Sequence, residues 1–248
     1  MTLDIVILTK NEARNILPCL ASFRGLGQAL VIDDGSTDET VALARGAGAV
    51  VHGRAMDDFS GQRNYALAVS TADWVFFLDA DERFTPGLAE AVARHVREGG
   101  GSAGRALRRN FAFGRRFRFG HLAPDWVPRL FPRGSVAWAG RVHETPVTDL
   151  PLATLSGFLE HHTYRSWEHF LTKMERYARI WAAEAAGMGR CCGVSTALAK
   201  GLANFAKTTI LKLGFLDGPA GVAVSAVSAY YTLSKYLILS GLGRGDGG

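Results

Sequence analysis

Three carboxylates close the stretch Trp74-Val75-Phe76-Phe77-Leu78-Asp79-Ala80-Asp81-Glu82. Carboxylate oxygens suit a hard divalent cation such as Mg2+ or Mn2+, which takes one or two protein carboxylates and fills its shell with substrate phosphates. In an extended segment side chains two residues apart point the same way, so Asp79 and Asp81 can address one ion. The five residues ahead of them form an unbroken apolar, aromatic-rich run, the pattern of a strand buried on both faces. In open α/β sheets the ligand crevice lies outside the carboxyl ends of the strands, which is where these carboxylates would sit. A strand ending in a solvated acidic turn is the plain alternative, and an Asp-x-Asp triplet alone does not exclude it.

The elements that must position these groups alternate in type. Ile5–Leu8 reads as a first strand, and a helix carrying Ile16, Leu17, Leu20 and Phe23 on one face follows it. Leu30–Ile32 is a second strand, running into Asp33-Asp34-Gly35-Ser36-Thr37, where Gly35 permits a tight turn and Ser36 or Thr37 can cap the next helix. Ala49–Val51 is a third strand, Gly61–Ala66 opens a helix, and the strand at Trp74 closes the series. Strands alternating with helices argue for an α/β fold with a mostly parallel central sheet. Thr9, Asn11, Glu12, Asp33, Asp34, Arg63, Asn64, Asp79 and Asp81 then fall at strand ends or on a helix start facing them. Each alone could be a cap or a turn residue, but their joint placement points to a polar ligand.

A dinucleotide-binding fold would need Gly-x-Gly-x-x-Gly at the first strand-to-helix turn. That turn reads Thr9-Lys10-Asn11-Glu12-Ala13-Arg14 and holds no glycine; a P-loop is absent as well. Phosphates would have to be held by a metal and by side chains such as Arg63.

Four ordered motifs, Ile7–Glu12, Val31–Thr40, Gln62–Leu67 and Phe77–Glu82, resemble the signature of the family 2 inverting glycosyltransferases. The resemblance implies a GT-A fold, a nucleotide-sugar-binding α/β domain. Pro124–Trp126, Arg129–Phe131, Gly140–Glu144, His161–Ser166 and Gly214–Gly218 are further similar to the subgroup that includes lipopolysaccharide core β-glucosyltransferases. Laid on this chain, the resemblance implies that Thr9, Glu12 and Asp34 hold the uracil and ribose of a UDP-sugar. Arg63 and Asn64 would lie near the base and diphosphate. Asp79 and Asp81 match the metal motif, Asp81 as the direct ligand of Mg2+ or Mn2+, with His161 or His162 completing the site as a histidine does in some GT-A enzymes. Inversion also needs a carboxylate to take the acceptor proton. Glu144, after the Val136–Trp138 strand, is the first choice and Asp125 the alternative; a salt bridge from Glu144 to Arg141 or Arg129 is the plain reading.

Six arginines fall between Arg105 and Arg118, interleaved with Phe111, Phe113 and Phe117. Such interleaving can bind single-stranded nucleic acid, but Gly114 suggests a hairpin with one aromatic and one basic face. Beside a sugar-transfer site the arginines would suit an anionic acceptor or lipid phosphates; a solvated basic face is the alternative. Beyond Ser166, Phe170, Met174, Tyr177 and Trp181 form one helical stripe. Further on, Leu198, Leu202, Phe205, Ile210 and Leu211 alternate with Lys200, Lys207 and Lys212, the pattern of a stretch lying on an anionic membrane. Gly218–Ser234 carries no charge for seventeen residues, short for a span, and favours an interfacial or re-entrant anchor over a crossing; a helical pair packed on the catalytic domain, or a dimer interface, is the plain alternative.

The 248 residues can bury a full core, and their net charge of +5 is unevenly spread. Residues 185–245 hold six cations against Asp217, while the remainder balances at 22 of each sign. That placement argues against nucleic acid as a partner. Three cysteines, Cys19, Cys191 and Cys192, fit no disulfide framework or zinc spacing and suggest a reducing compartment. Met1–Asp4 lacks the basic start of a secretory leader. The expectation is a GT-A domain over 1–165, with donor half 1–98 and acceptor half 99–165, and a helical, membrane-associating region over 166–248. It would be a cytoplasmic enzyme, peripheral on the inner face of the cell membrane. It would move a hexose, glucose by the resemblance, from UDP to a lipid-linked lipopolysaccharide inner-core sugar. A polyprenyl phosphate acceptor, or a non-catalytic nucleotide-binding protein, are the alternatives.

Overall fold

The computed structural model describes residues 1–140 and 144–242. They form two compact units, one of Met1–Arg108 with Asp125–His161 and a second of Arg109–Pro124 with the chain from His162. The expected division after residue 165 differs from this in two respects: residues 109–124 group with the C-terminal helices and not with the acceptor half, and the second unit resumes at His162.

The first unit opens with β1 (Leu3–Thr9), α1 (Ala13–Ser22), β2 (Gln28–Asp33), α2 (Thr40–Gly46), β3 (Val50–Gly53), α3 (Phe59–Val69) and β4 (Trp74–Asp79). The strands run parallel in the order β3-β2-β1-β4, with Ile5 opposite both Ala29 and Phe76. Period-2 alternation divides the core between the two faces of the sheet. Ile5, Ile7, Phe76 and Leu78 pack with Ile16, Cys19 and Leu20 of α1 on one face. Val6, Val75 and Phe77 pack with Ala66 of α3, Phe131 and Trp138 on the other. Burying each such side chain contributes roughly 1.5–3 kcal/mol. Leu17, expected on the core face of α1, is instead exposed, and Cys19 takes the buried position, because the helix turns its Ile16–Cys19–Leu20 arc toward the sheet.

After β4 come β5 (Glu82–Phe84), α4 (Pro86–Glu98), β6 (Ala103–Ala112), β7 (Arg115–Arg116), β8 (Asp125–Pro132), the small pair β9 (Ala137–Ala139) and β10 (Thr145–Val147), and β11 (Leu152–Tyr164). The sheet continues past β4 as β8-β6-β11-β5, with β8 antiparallel to β4. Gly157 of β11 sits at φ +85° and passes close to the start of α4; a Cβ there would lie 2.3 Å from the Leu88 nitrogen, so only glycine fits.

The second unit holds the β6–β7 hairpin and α5 (Trp167–Gly187), α6 (Val194–Ala206) and α7 (Gly218–Leu242). The buried stripe of α5 is Phe170, Met174, Ala178, Ala182 and Ala185; Tyr177, expected on it, is exposed. Small and hydroxyl residues of α7, Gly221, Ser225, Ser228 and Thr232, are buried, Gly221 against the turn Gly214–Asp217 and Ser228 against Asn204 of α6. Among the described residues Gly214–Leu242 is the one helical stretch long and apolar enough to cross a membrane, by length and composition alone.

Candidate active site

The carboxyl ends of β1, β2 and β4 carry the site in the first unit. Asn11 adopts the left-handed backbone that asparagine tolerates, at φ 57°. Its N–H donates to Ser36 Oγ at 2.8 Å and its side-chain oxygen accepts from Thr37 N at 2.8 Å, fastening the β1 loop to the β2 loop. Asp33 is buried and accepts from the Thr9 hydroxyl and from Ser36 N at 2.8 Å. Thr9, Asn11 and Asp33 therefore build the loops. Asp34 and Glu12 line them: Asp34 pairs with Lys10 Nζ at 2.7 Å and accepts from Met56 N, while Glu12 accepts from Asn15. The Lys10 hydrogen bond, with that of Met56 N–H, holds the Asp34 carboxyl below its usual range.

Beyond β4 the side chains join into one chain of alternating charge. Arg63, 4% exposed on α3, lies over the Trp138 ring at 4.5 Å and directs Nη2 at Asp79 Oδ1 (3.2 Å) and Glu144 Oε1 (3.3 Å). Arg129 of β8, also 4% exposed, donates Nη2 to Asp79 Oδ2 at 2.7 Å and to Glu82 Oε1 at 2.6 Å. Arg108 of β6 faces Glu82 at 3.5 Å and grips Asp125 through both oxygens, at 3.0 and 2.8 Å. Both expected bases thus stand at the two ends of a network running Glu144, Arg63, Asp79, Arg129, Glu82, Arg108, Asp125. Burial opposes ionisation of Asp79, but the Arg129 and Arg63 guanidinium groups outweigh it and keep the carboxyl charged far below its ordinary range. Full burial pushes Glu82 up, against Arg129. Its carboxylate also accepts from Asp79 N at 3.0 Å, holding the turn after β4.

Asp81 lies apart from this chain, with Oδ2 3.3 Å from His161 Nε2. His161 sits on β11 opposite Glu82 of β5, which brings it to the turn. His162, the next residue, belongs to the second unit and stacks on Phe111. Asn64 is committed elsewhere: its amide accepts from Trp138 N at 2.8 Å and donates to Trp138 O at 2.9 Å, clipping β9 to α3. Glu144 pairs with Arg63, not with Arg129. Arg141, Val142 and His143 lie outside the described residues.

Sequence reasoning placed Glu82 at the crevice with Asp79 and Asp81 but did not foresee that Arg129 and Arg108 would hold it. The available signal was an arginine inside the strand pattern Val127-Pro128-Arg129-Leu130-Phe131, where a buried charge requires partners.

The donors fit a divalent cation and a diphosphate. Asp81 and His161 are close enough to share one ion with bonds of about 2.1 Å. Among the described residues no group of three His, Cys, Asp or Glu gathers to cage a metal, so the rest of the shell would come from substrate and water. Arg63 Nε and Nη1 and Arg129 Nε are buried without a hydrogen-bond partner among the described residues, donor capacity beyond what the carboxylates use.

Residues 4–143 match the Glycosyl transferase family 2. The chain belongs to that family. The chain has the GT-A arrangement of a parallel β3-β2-β1-β4 half extended by antiparallel strands. It is 42% identical over 81 residues to a TPR repeat-containing protein of Synechococcus elongatus, covering 32% of this chain and 20% of that one. It is 34% identical over 87 residues to an uncharacterized glycosyltransferase of Rickettsia felis, covering 35% and 31%. The chain thus spans less than a third of either relative's length. The lipopolysaccharide core biosynthesis glycosyltransferase LpsC of Rhizobium meliloti is 25% identical over 201 residues, covering 77% of this chain and 74% of LpsC. Among solved structures, glucosyl-3-phosphoglycerate synthase of Mycobacterium tuberculosis with Mn2+ and UDP superposes with a TM-score of 0.37 at 24% identity, over 46% of this chain and 44% of that one.

Proposed function

We propose that this glycosyltransferase inverts the anomeric centre of a UDP-hexose, glucose first among them, while transferring it to a lipid-linked saccharide of the lipopolysaccharide inner core. The observation that carries the reading is the junction at Arg63, where one nitrogen lies within 3.3 Å of both Asp79 of the metal motif and Glu144. In-line displacement needs the base and the leaving group on opposite faces of one anomeric carbon, and Arg63 ties Glu144 and the metal motif into one site that a single sugar could occupy. Similarity to LpsC over three quarters of both chains supports the acceptor class.

Asp34 and Glu12 would bind the nucleoside, and Asp81 with His161 would hold Mg2+ or Mn2+. A bound cation supplies charge neutralisation to the diphosphate as the glycosidic bond breaks. Glu144 accepts the acceptor hydroxyl proton as that oxygen bonds to the anomeric carbon, and the carbon–oxygen bond to the diphosphate breaks to release UDP. Glu144 has one oxygen on Arg63, and no other described residue hydrogen-bonds it, whereas both oxygens of Asp125 are held by Arg108. Arg63 and Arg129 keep Asp79 ionised and place positive charge beside the metal motif, where the diphosphate would lie.

Calorimetric titration with UDP and GDP, with and without Mn2+, tests the donor site. UDP should bind only with Mn2+, and Asp81→Ala should weaken it at least tenfold, the usual cost of a damaged metal site. Absence of binding by either nucleotide under every condition would defeat the proposal.

A further inference from the structure

We propose that the β6–β7 hairpin is a phosphate-binding site in which Arg116 and Arg118, with Arg109 beside them, grip the oxygens of a phosphate ester. The hairpin turns through two left-handed residues, Phe113 at φ 54° and Gly114 at φ 73°, the two-residue turn whose twist matches paired strands. Its register places Phe111 opposite Arg116 and Ala112 opposite Arg115, and Phe117 N–H to Asn110 O at 2.9 Å carries the pairing one residue further. Alternation then puts Arg109, Phe111, Arg116 and Arg118 on one face and Asn110, Ala112 and Phe117 on the other. The second set is buried in the unit's core. The first set is basic as expected from the sequence except for Phe111, which lies among the arginines and not with the other aromatics.

Four observations separate this face from an ordinary solvated one. Arg116 Nε is buried with no hydrogen-bond partner among the described residues, a donor whose hydrogen-bonding capacity the protein leaves unused. Burial and the adjacent charges of Arg109 and Arg118 push the Arg116 pKa down, a repulsion that a bound oxyanion would relieve. Asp217, the acid that acts on Arg116, accepts at Oδ2 from the backbone N–H groups of Arg118 and Phe119, both at 2.9 Å. The hairpin is also held rigid: Phe113 stacks on Trp167 at 4.0 Å, and Arg115 donates to Asp217 O at 2.8 Å. Planar guanidinium forks fixed on a rigid strand pair are preorganised for the oxygens of a phosphate. Nucleic acid is disfavoured, because Phe117 is buried in the unit, Phe113 is stacked on Trp167, and Phe111, the aromatic on the basic face, is stacked on His162.

The phosphate could belong to a phospholipid headgroup or to a phosphorylated sugar of the acceptor. The glycosyltransferase reading bears only on that choice, since the site itself rests on the second unit alone. The test is calorimetry of the full chain with dihexanoyl phosphatidic acid and with glucose 6-phosphate, glucose serving as the neutral control, at low and at physiological salt. Arg116→Gln and Arg118→Gln should each weaken binding about tenfold, the loss of one charge-assisted contact. Lys200→Gln should not, and UDP titrations should be unchanged in every variant. Arg116→Lys, which keeps the charge and loses the fork, should fall between. Binding confined to dihexanoyl phosphatidic acid assigns a lipid phosphate, binding confined to glucose 6-phosphate a sugar phosphate, and binding of both a site for either. Arg118 is exposed, so its variant reports on binding even if Arg116→Gln fails to fold. The proposal is overturned if neither probe binds at millimolar concentration, or if both glutamine variants bind as the parent does.

Discussion

At the scale of single residues, the two expected bases differ in how they are held. Asp125 is fixed by a bidentate pair to Arg108, and its side chain is 45% exposed. Glu144 meets Arg63 through one oxygen and lies on the metal-motif side of the network. Glu144→Gln should therefore lower kcat by two to four orders of magnitude, the usual yield of a general base, while UDP affinity stays within twofold of the parent. Asp125→Asn should lower kcat less than tenfold. The reverse ranking in a sugar-transfer assay would move the base to Asp125. Asp79, Asp81 and Glu144 were legible because their types and their place after apolar runs imply chemistry. Arg129 was not, because an arginine in a strand reads as an edge residue until the partners Asp79 and Glu82, some fifty residues away in sequence, are in view. Asn64 has a structural use that its motif position does not disclose: its amide bonds the Trp138 backbone.

At the scale of elements, the four parallel strands and their helices follow from periodicity, since each buried run has the length and composition its place requires. The Phe113–Gly114 turn was legible from Gly114. Less so was the set of contacts that only folding brings together, such as the polar centre of the second unit. There His121, on the turn Gly120–Leu122, places Nδ1 3.1 Å from Ser228 Oγ of α7, which is 3.1 Å from Asn204 Oδ1 of α6. Phe170 covers the ring, and Lys212 is the charged group acting on it. Burial, with Lys212 adding to it, lowers the His121 pKa, so the folded chain resists a proton that the unfolded chain accepts near pH 6.5. The unfolded state then binds more protons, and this contribution to stability is complete above about pH 6.5 and declines as pH falls below it. Between pH 7.5 and 5.5 the melting temperature, followed by helical circular dichroism, should drop by roughly 2–4 °C more in the parent than in His121→Asn. Equal pH slopes in the two proteins would show that His121 is not the group responsible.

At the scale of the whole molecule, what distinguishes the second unit is how much apolar side chain it leaves uncovered. Leu198 and Leu202 of α6, Ile210 and Leu211 of the π-helical turn Lys207–Leu211, and Phe215 and Leu216 of the following turn are all exposed, Leu202 and Leu211 by 71% and 79%. Lys200, Lys207 and Lys212 are exposed among them. A soluble surface seldom keeps so many large apolar residues in one short stretch unless something covers them. The interspersed lysines favour anionic lipid, at about 1 kcal/mol each near such a surface. The peripheral location expected from the sequence therefore predicts that the chain floats with vesicles containing 30 mol% phosphatidylglycerol and stays behind with phosphatidylcholine alone, and that added salt reduces flotation. The double variant Leu202→Gln/Leu211→Gln should lose at least tenfold in vesicle affinity, since full burial of each leucine contributes roughly 1.5–3 kcal/mol, while its UDP titration stays that of the parent. If the chain ignores both kinds of vesicle and sediments as a dimer that the double variant dissociates, the face joins two copies of the chain. The acceptor would then have to reach the enzyme without the membrane bringing them together.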